Sequence, residues 1–398
     1  MNYEKKMNKV CEFIDEIHKI SRDNGVCFEI IGGYSDNCVN LKTSSDIDLF
    51  FKNKKDVNKF EDILIYVLDL HKEIKLISRK KFSSGIHWTF LLDDTIFIFD
   101  LMWDMRFHNY KLMDSRIFFE LQSSGFDASA IAKFVKSKTG FKQAWPGIPP
   151  EIYSFRIIRT TPISKAVYLI HKIFESLFAM LSARNGVFVV VVGPDGSGKS
   201  TVIERVIEKL CGERVLLPVF RFHWRPQLFS IFGATKAVTN PHAQAPRGRF
   251  LSLMKLVYLW LTFNLGYWLR LHRLLHRGCI VMFDRYYHDL LVDPRRYRLQ
   301  APHWLMHMVG KAIPEPDLWI LLDASPAVLH TRKQEVPLAE TARQRGAYQD
   351  LVRQFPNHLV VDAAASPEDV SSVVTNTILN YMARQTACKS GLTLHGGH

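Results

Sequence analysis

The chain has 398 residues, 47% of them hydrophobic and 23% charged, with a formal net charge of +13. That composition excludes a disordered, collagen-like or disulfide-scaffold chain, and the length exceeds one ordinary core, so about two or three domains are expected. The basic excess suggests a phosphate-rich small molecule, nucleic acid or a membrane surface as partner.

The charge is unevenly spread. Residues 1–150 hold 22 Lys+Arg against 21 Asp+Glu, and 18 of those bases are lysine. The remainder holds 30 against 18, with 21 arginines. Two modules of different character therefore meet near position 150. Six cysteines, Cys11, Cys27, Cys38, Cys211, Cys279 and Cys388, are scattered without a Cys-x-x-Cys pair. This predicts buried free thiols in a reducing cytosol, with neither disulfides nor zinc.

In chain order, the first module opens with an amphipathic helix in which Met7, Val10, Phe13, Ile14, Ile17 and Ile20 share a face. Its mixture of acids and bases is not that of a signal peptide. A strand CFEII follows and ends in Gly32 and Gly33; then come strand DIDLFF from Asp46, a helix over 58–70 and strand TIFIFDLMW around Asp100. Four of the 17 prolines fall in 143–163 and mark a linker, and an apolar helix from Ser164 to Leu181 leads onward. The second module begins with VFVVVV at 187–192, apolar on both faces, as in the middle of a covered parallel sheet. Strands CIVMF (279–283), LWILLD (318–323) and HLVVDA (358–363) alternate with helical stretches, the pattern of a doubly wound α/β domain. The apolar stretch Leu256 to Leu271, interrupted by Arg270, is too short to span a membrane; 250–275 reads as a packed helix, with a greasy acceptor groove or a subunit contact left open. The boundaries are drawn at 1–145, a connecting segment 146–185, 186–385 and a tail 386–398.

Directly after VFVVVV stands Gly193-Pro194-Asp195-Gly196-Ser197-Gly198-Lys199-Ser200-Thr201. It satisfies G-x-x-x-x-G-K-[ST] between a buried strand and an amphipathic helix. Glycines let successive backbone N–H groups turn around a phosphate, and a helix N-terminus adds its positive dipole end. Lys199 can neutralise β/γ-phosphates and the Ser200 hydroxyl can ligate Mg²⁺. The expectation is a nucleoside triphosphate site for ATP·Mg²⁺. Strand CIVMF then delivers Asp284 and Arg285 to a strand's C-terminal edge, where open α/β sheets hold ligands. Arginine suits a second phosphate.

GPDGSGKST, FDRYYHD, PDLWILLDASPAVLHTRK and LVVDAAASPEDV, in that order, resemble the thymidylate-kinase family of P-loop nucleoside monophosphate kinases, over Phe188 to about Met382. The resemblance implies that Lys199 and Ser200 handle ATP·Mg²⁺, Arg285 grips the acceptor phosphate and Asp195 lies near the acceptor sugar. It also implies a lid arginine, for which Arg332, Arg343 and Arg345 are candidates, and adenine beside the segment after Asp362. Where the family carries an arginine-containing, glycine-rich acceptor segment, this chain reads Arg221-Phe222-His223-Trp224-Arg225-Pro226. The acceptor therefore stays open. FDRYYHDLLVDPRRYR is similar to a thymidylate-kinase-like branch found beside bacterial surface-polysaccharide genes.

In the first module, Gly32-Gly33 precedes Asp46-Ile47-Asp48 by twelve residues, and Asp100 ends strand IFIFD. Carboxylates at i and i+2 on a strand share a side and can share Mg²⁺, and a third nearby can complete the site or activate an attacking group. The pattern resembles the nucleotidyltransferase superfamily related to polymerase β, over residues 8–120. The expected architecture is thus a C-terminal P-loop NTPase doubly wound parallel sheet, with an N-terminal α+β nucleotidyltransferase-fold domain. The expected function is a cytoplasmic kinase fused to a metal-dependent nucleotidyltransferase. It would take nucleotide substrates and a small-molecule phosphate or hydroxyl acceptor, with no nucleic acid and no membrane span. A nucleotide-binding regulatory protein with silent sites, a kinase for a sugar or lipid-linked acceptor, and a homo-oligomer remain open.

Overall fold

A computed structural model describes residues 3–32, 46–81, 85–93, 95–107, 110–123, 125, 184–211, 217–226, 248–333 and 337–390. Gly33, the predicted helix from Ser164 to Leu181 and nearly all of segment 146–185 lie outside these residues. The chain divides into two compact units, one of Met1–Glu175 with Met382–His398, the other of Ser176–Tyr381. Each is a mixed α/β assembly.

In the first unit, helix Tyr3–Asp23 buries Val10, Phe13, Ile14 and Ile17, as its spacing predicts. The sheet comprises β1 (Phe28–Gly32), β2 (Asp46–Phe51), β3 (Ile74–Lys81), β4 (Gly85–Leu92) and β5 (Thr95–Met102), ordered β1-β2-β5-β4-β3. β2 and β5 run parallel and the other neighbours antiparallel. Helix Lys54–Leu70 starts four residues before the predicted position because Asn53 caps it. The Asn53 Oδ1 accepts from the amides of Lys55 and Asp56 at 2.9 and 3.0 Å. β3, β4, the hairpin of β6 (Asp104–Phe107) and β7 (Tyr110–Asp114), and helix Ser115–Ser123 add to the sequence reading. β3 escaped it because it is an edge strand whose lysines hide the apolar alternation, a usual defence of exposed edges.

Trp88 is a core residue. Its indole N–H donates to Glu61 Oε1 at 3.0 Å, and Arg79 clasps the same buried carboxylate with two bonds of 2.7 Å. Glu61→Leu should destabilise the fold by about 1–3 kcal/mol, since it strands both donors. A urea midpoint of the variant equal to that of the wild type would remove Glu61 from this role. Cys11 is disulfide-bonded and Cys27 and Cys388 are exposed, which corrects the expectation of six buried thiols; Cys279 is a buried thiol.

The second unit carries an all-parallel sheet of β8 (Val187–Val192), β9 (Val219–His223), β10 (Ile280–Asp284), β11 (Leu318–Asp323) and β12 (His358–Asp362), ordered β12-β11-β8-β10-β9. All six β8 residues are buried, as an apolar run between helix layers requires. Helix Pro367–Ser390 runs past 386, so the expected tail begins later than drawn. Helix Arg249–Gly266, a π-helical turn Tyr267–Leu271 and helix His272–His276 are continuous. At 28 residues the whole is long and apolar enough to cross a membrane by length and composition, which corrects the reading that it is too short. One side of it nonetheless packs as core, through Leu256, Leu259, Phe263, Leu271 and Leu275.

Candidate functional site

The loop after β8 is shaped by its glycines. Gly193, Gly196 and Gly198 have φ of +148°, +84° and +81°. A Cβ at Gly193 would stand 2.5 Å from the Leu322 carbonyl oxygen, and one at Gly196 would stand 2.7 Å from that of Leu329. Only glycine satisfies both the angle and the space there. Helix Lys199–Cys211 begins at the loop's end, so the dipole end and the loop amides converge where an anion can sit.

Lys199 is buried, and its ammonium donates to the carbonyls of Gly193 and Pro194 at 2.8 Å each and to Ser197 Oγ at 3.3 Å. Burial, reinforced by Arg285, pushes its pKa down to about 7 against the pull of Asp195, Asp284 and Asp289. Ser200 Oγ donates to Asp284 Oδ2 at 3.0 Å. Burial alone would raise the Asp284 pKa, but His223, Lys199 and Arg285 outweigh it and hold the carboxyl well below the usual range. An ionised carboxylate and a hydroxyl, both hard oxygen donors, fit Mg²⁺ at the loop's end.

Beside this loop lies a second cluster, built by the residues after β10. Arg285 takes a left-handed backbone, φ +68°, while its N–H donates to the Val191 carbonyl at 3.0 Å. Such strain in a non-glycine residue amounts to about 1–3 kcal/mol and recurs at functional sites. The buried guanidinium contacts Asp195 and donates to both oxygens of Asp289 at 3.0 and 2.9 Å. Asp289 is fully buried and also accepts from Tyr297 at 2.6 Å and from Tyr348. Arg296 reaches the other oxygen of Asp195 at 2.5 Å. Burial opposes ionisation of Asp195, but Arg285, Lys199 and Arg296 together hold its carboxyl well below the usual range. One acidic loop side chain thus clamps two arginines.

Sequence reasoning named Asp195 and Arg285 but missed their supports. Asp289 ends FDRYYHD, a motif that by itself assigns it no role. Tyr297 and Tyr348 gave no signal, because nothing in a sequence shows phenols converging on one carboxylate. Trp224, in the segment that departs from the resembled family, stacks on Tyr297 with ring centroids 4.6 Å apart and takes φ +58°.

The three lid candidates occupy different environments. Arg332 donates to the Ala363 carbonyl at 2.8 Å and lines a cavity of about 270 Å³ with Gly196, Ser197, Thr201, Ala363 and Pro367. That cavity joins the glycine loop to the segment after Asp362. Arg345 forms a bidentate pair with Asp323, 2.7 and 2.8 Å, at the end of β11. Arg343 pairs with Glu340 and donates to the Val292 carbonyl.

In the first unit the sheet register lines up five residues, one per strand. Gly32 neighbours Asp48, Asp48 neighbours Asp100, Asp100 neighbours His87 and His87 neighbours Lys80. Asp48, His87 and Asp100 are half-buried while Ile47, Leu49, Phe99 and Leu101 enter the core, so alternation puts the polar set on the opposite face. His87 Nδ1 contacts Asp100 Oδ1. Asp46 starts β2, two residues before Asp48; its side chain lies outside the described residues. Asp48 and Asp100 are oxygen ligands suited to a hard cation. Among the described residues, no group of three His, Cys, Asp or Glu side chains is placed to hold a metal.

No protein-family model matches the chain. It is 22% identical over 218 residues to the thymidylate kinase of Schizosaccharomyces pombe, a stretch that covers 52% of this chain and 98% of that enzyme. The similarity is weak and suggests a nucleotide-kinase-like function for about half of the chain.

Proposed function

We propose that the second unit is an ATP- and Mg²⁺-dependent phosphotransferase acting on a phosphorylated acceptor of the nucleoside monophosphate class. The observation that carries this reading is the adjacency of two phosphate-gripping devices, the glycine loop with Lys199 and the Asp195–Arg285–Arg296 clamp. Lys199 exchanges its loop carbonyls for the β/γ-phosphates of ATP, and Arg285 with Arg296 turns from Asp195 to the acceptor phosphate. The acceptor oxygen attacks the γ-phosphorus in line; its bond to phosphorus forms as the bond to the β,γ-bridging oxygen breaks, leaving ADP. Lys199 and the arginines stabilise the charge spread over the transferred group. Ser200 and Asp284 would hold Mg²⁺, which neutralises charge on the phosphates when bound. The cavity between Arg332 and Pro367 takes the base of ATP. ATP labelled at the γ-phosphate, incubated with dTMP and a panel of other nucleoside monophosphates, should give a labelled diphosphate; label in none of them would overturn the acceptor class.

The row Gly32–Asp48–Asp100–His87 favours a second activity in the first unit, NMP transfer from an NTP to a hydroxyl or phosphate acceptor. In this reading Asp46 and Asp48 would hold Mg²⁺, which would neutralise charge on the NTP phosphates, and Asp100, in contact with His87, would help to activate the acceptor. Asp48→Asn should abolish transfer of label from the α-phosphate while leaving γ-phosphate transfer within about twofold, because the two sites are built by different compact units and share no residue. Retention of α-label transfer would reject this assignment.

A further inference from the structure

Helix Arg249–His276 has a second apolar side. Opposite its core residues, eleven large apolar side chains between Phe250 and Leu269 are exposed by 40% to 73%, among them Met254, Tyr258, Trp260, Leu261, Leu265 and Trp268. Single exposed apolar residues are ordinary, but a contiguous face along one helix marks a contact surface. The charge along this stretch of chain says what kind. From Arg214 to Phe283 the chain holds ten Lys and Arg and not one Asp or Glu. Within the helix, Arg249 lies at one end and Arg270 and Arg273 near the other, with Arg277 just beyond; Arg273 and Arg277 are exposed.

We propose that this helix docks the protein on an anionic lipid bilayer, lying in the plane of the surface with its exposed apolar face among the acyl-chain ends. Tryptophan and tyrosine on the apolar side and arginine at the ends are the composition that interfacial helices use. The helix does not span, because Leu256, Leu259, Phe263 and Leu275 are engaged in the protein core and cannot also face lipid. A second copy of the chain is the weaker occupant. A two-fold contact sets a patch against itself, and this acid-free, arginine-ended patch offers its own copy no opposite charge. Anionic headgroups supply that charge. The inference stands apart from the phosphotransfer reading.

The test is co-sedimentation of the full chain with phosphatidylcholine vesicles, plain or containing about 30% phosphatidylglycerol, where binding to the anionic vesicles should exceed that to the plain ones by about tenfold or more. Leu261→Glu with Leu265→Glu should abolish binding. Arg273→Gln with Arg277→Gln should remove most of the preference for anionic vesicles and leave circular dichroism unchanged. Light scattering is run on every variant. Absence of wild-type binding overturns the proposal, as does binding that survives the double glutamate substitution. A wild-type dimer that binds no vesicles and is dissociated by the two glutamates overturns it in favour of a second copy.

Discussion

Lys199→Met should lower γ-phosphate transfer by about 10²- to 10³-fold, the loss typical when one preorganised charge or donor is removed from a transition state. The side chain has no solvent-exposed role to confuse the result; it is buried and bonded within its own loop, to Gly193, Pro194 and Ser197. Methionine fills similar space without the charge. Because burial holds the lysine pKa near 7 instead of the ordinary 10.5, the unfolded chain binds more protons than the folded one between those values. Wild-type stability should therefore rise with pH across that window, and the contribution should vanish in Lys199→Met. A catalytic loss without a drop in thermal midpoint at pH 7 would separate chemistry from folding. Unchanged phosphotransfer would sink the assignment of the loop.

The same pKa gives a binding signature. Burial lowers the lysine pKa toward neutrality and a bound polyphosphate favours the charged form, so ADP binding near pH 7 should take up protons. Calorimetry in two buffers of different ionisation enthalpy reads that uptake directly. The uptake should disappear in Lys199→Met; equal uptake in both proteins would assign the proton to another group.

The glycine loop and the strands around it were legible because they depend on local rules. A strand buried on both faces must be apolar throughout, and a loop with three left-handed positions must be glycine there, so VFVVVV and GPDGSGK carry their own geometry. Asp46 and Asp48 were legible for a similar reason, since alternation on a strand is local. The row of Asp48, Asp100 and His87 needed the sheet order. β5 inserts between β2 and β4 although β3 and β4 precede it in the chain, and no periodicity encodes that. Asp289 was invisible as a support because it acts through three partners from the segments after β10 and from helix Leu338–Val352. Its value lies in convergence. The exposed face of helix Arg249–His276 was hidden by its composition, since an apolar helix reads as core until one side is seen to face solvent.

Arg285→Lys should separate the two halves of the proposed phosphotransfer site. Lysine keeps the positive charge beside Asp289 and Asp195, so neither carboxylate is left buried and alone, an outcome that Arg285→Ala would bring with a loss of about 3–5 kcal/mol of stability. What lysine lacks is the planar fork, which now reaches Asp289 through Nη1 and Asp195 through Nη2 at once. Losing one hydrogen bond to a charged acceptor amounts to about 1.5–3 kcal/mol, or roughly 10- to 150-fold in affinity. That loss should appear in the KM of the nucleoside monophosphate and not in the KM of ATP, whose phosphates belong to Lys199 and the glycine loop. Asp195→Asn provides the counter-test. It removes the carboxylate that competes for Arg285 and Arg296, so it should tighten binding of the acceptor phosphate itself, even where it weakens contact with the acceptor sugar. If Arg285→Lys instead raised the KM of ATP and left that of the monophosphate untouched, the clamp would belong to the donor, and the direction of transfer across the site would have to be reversed.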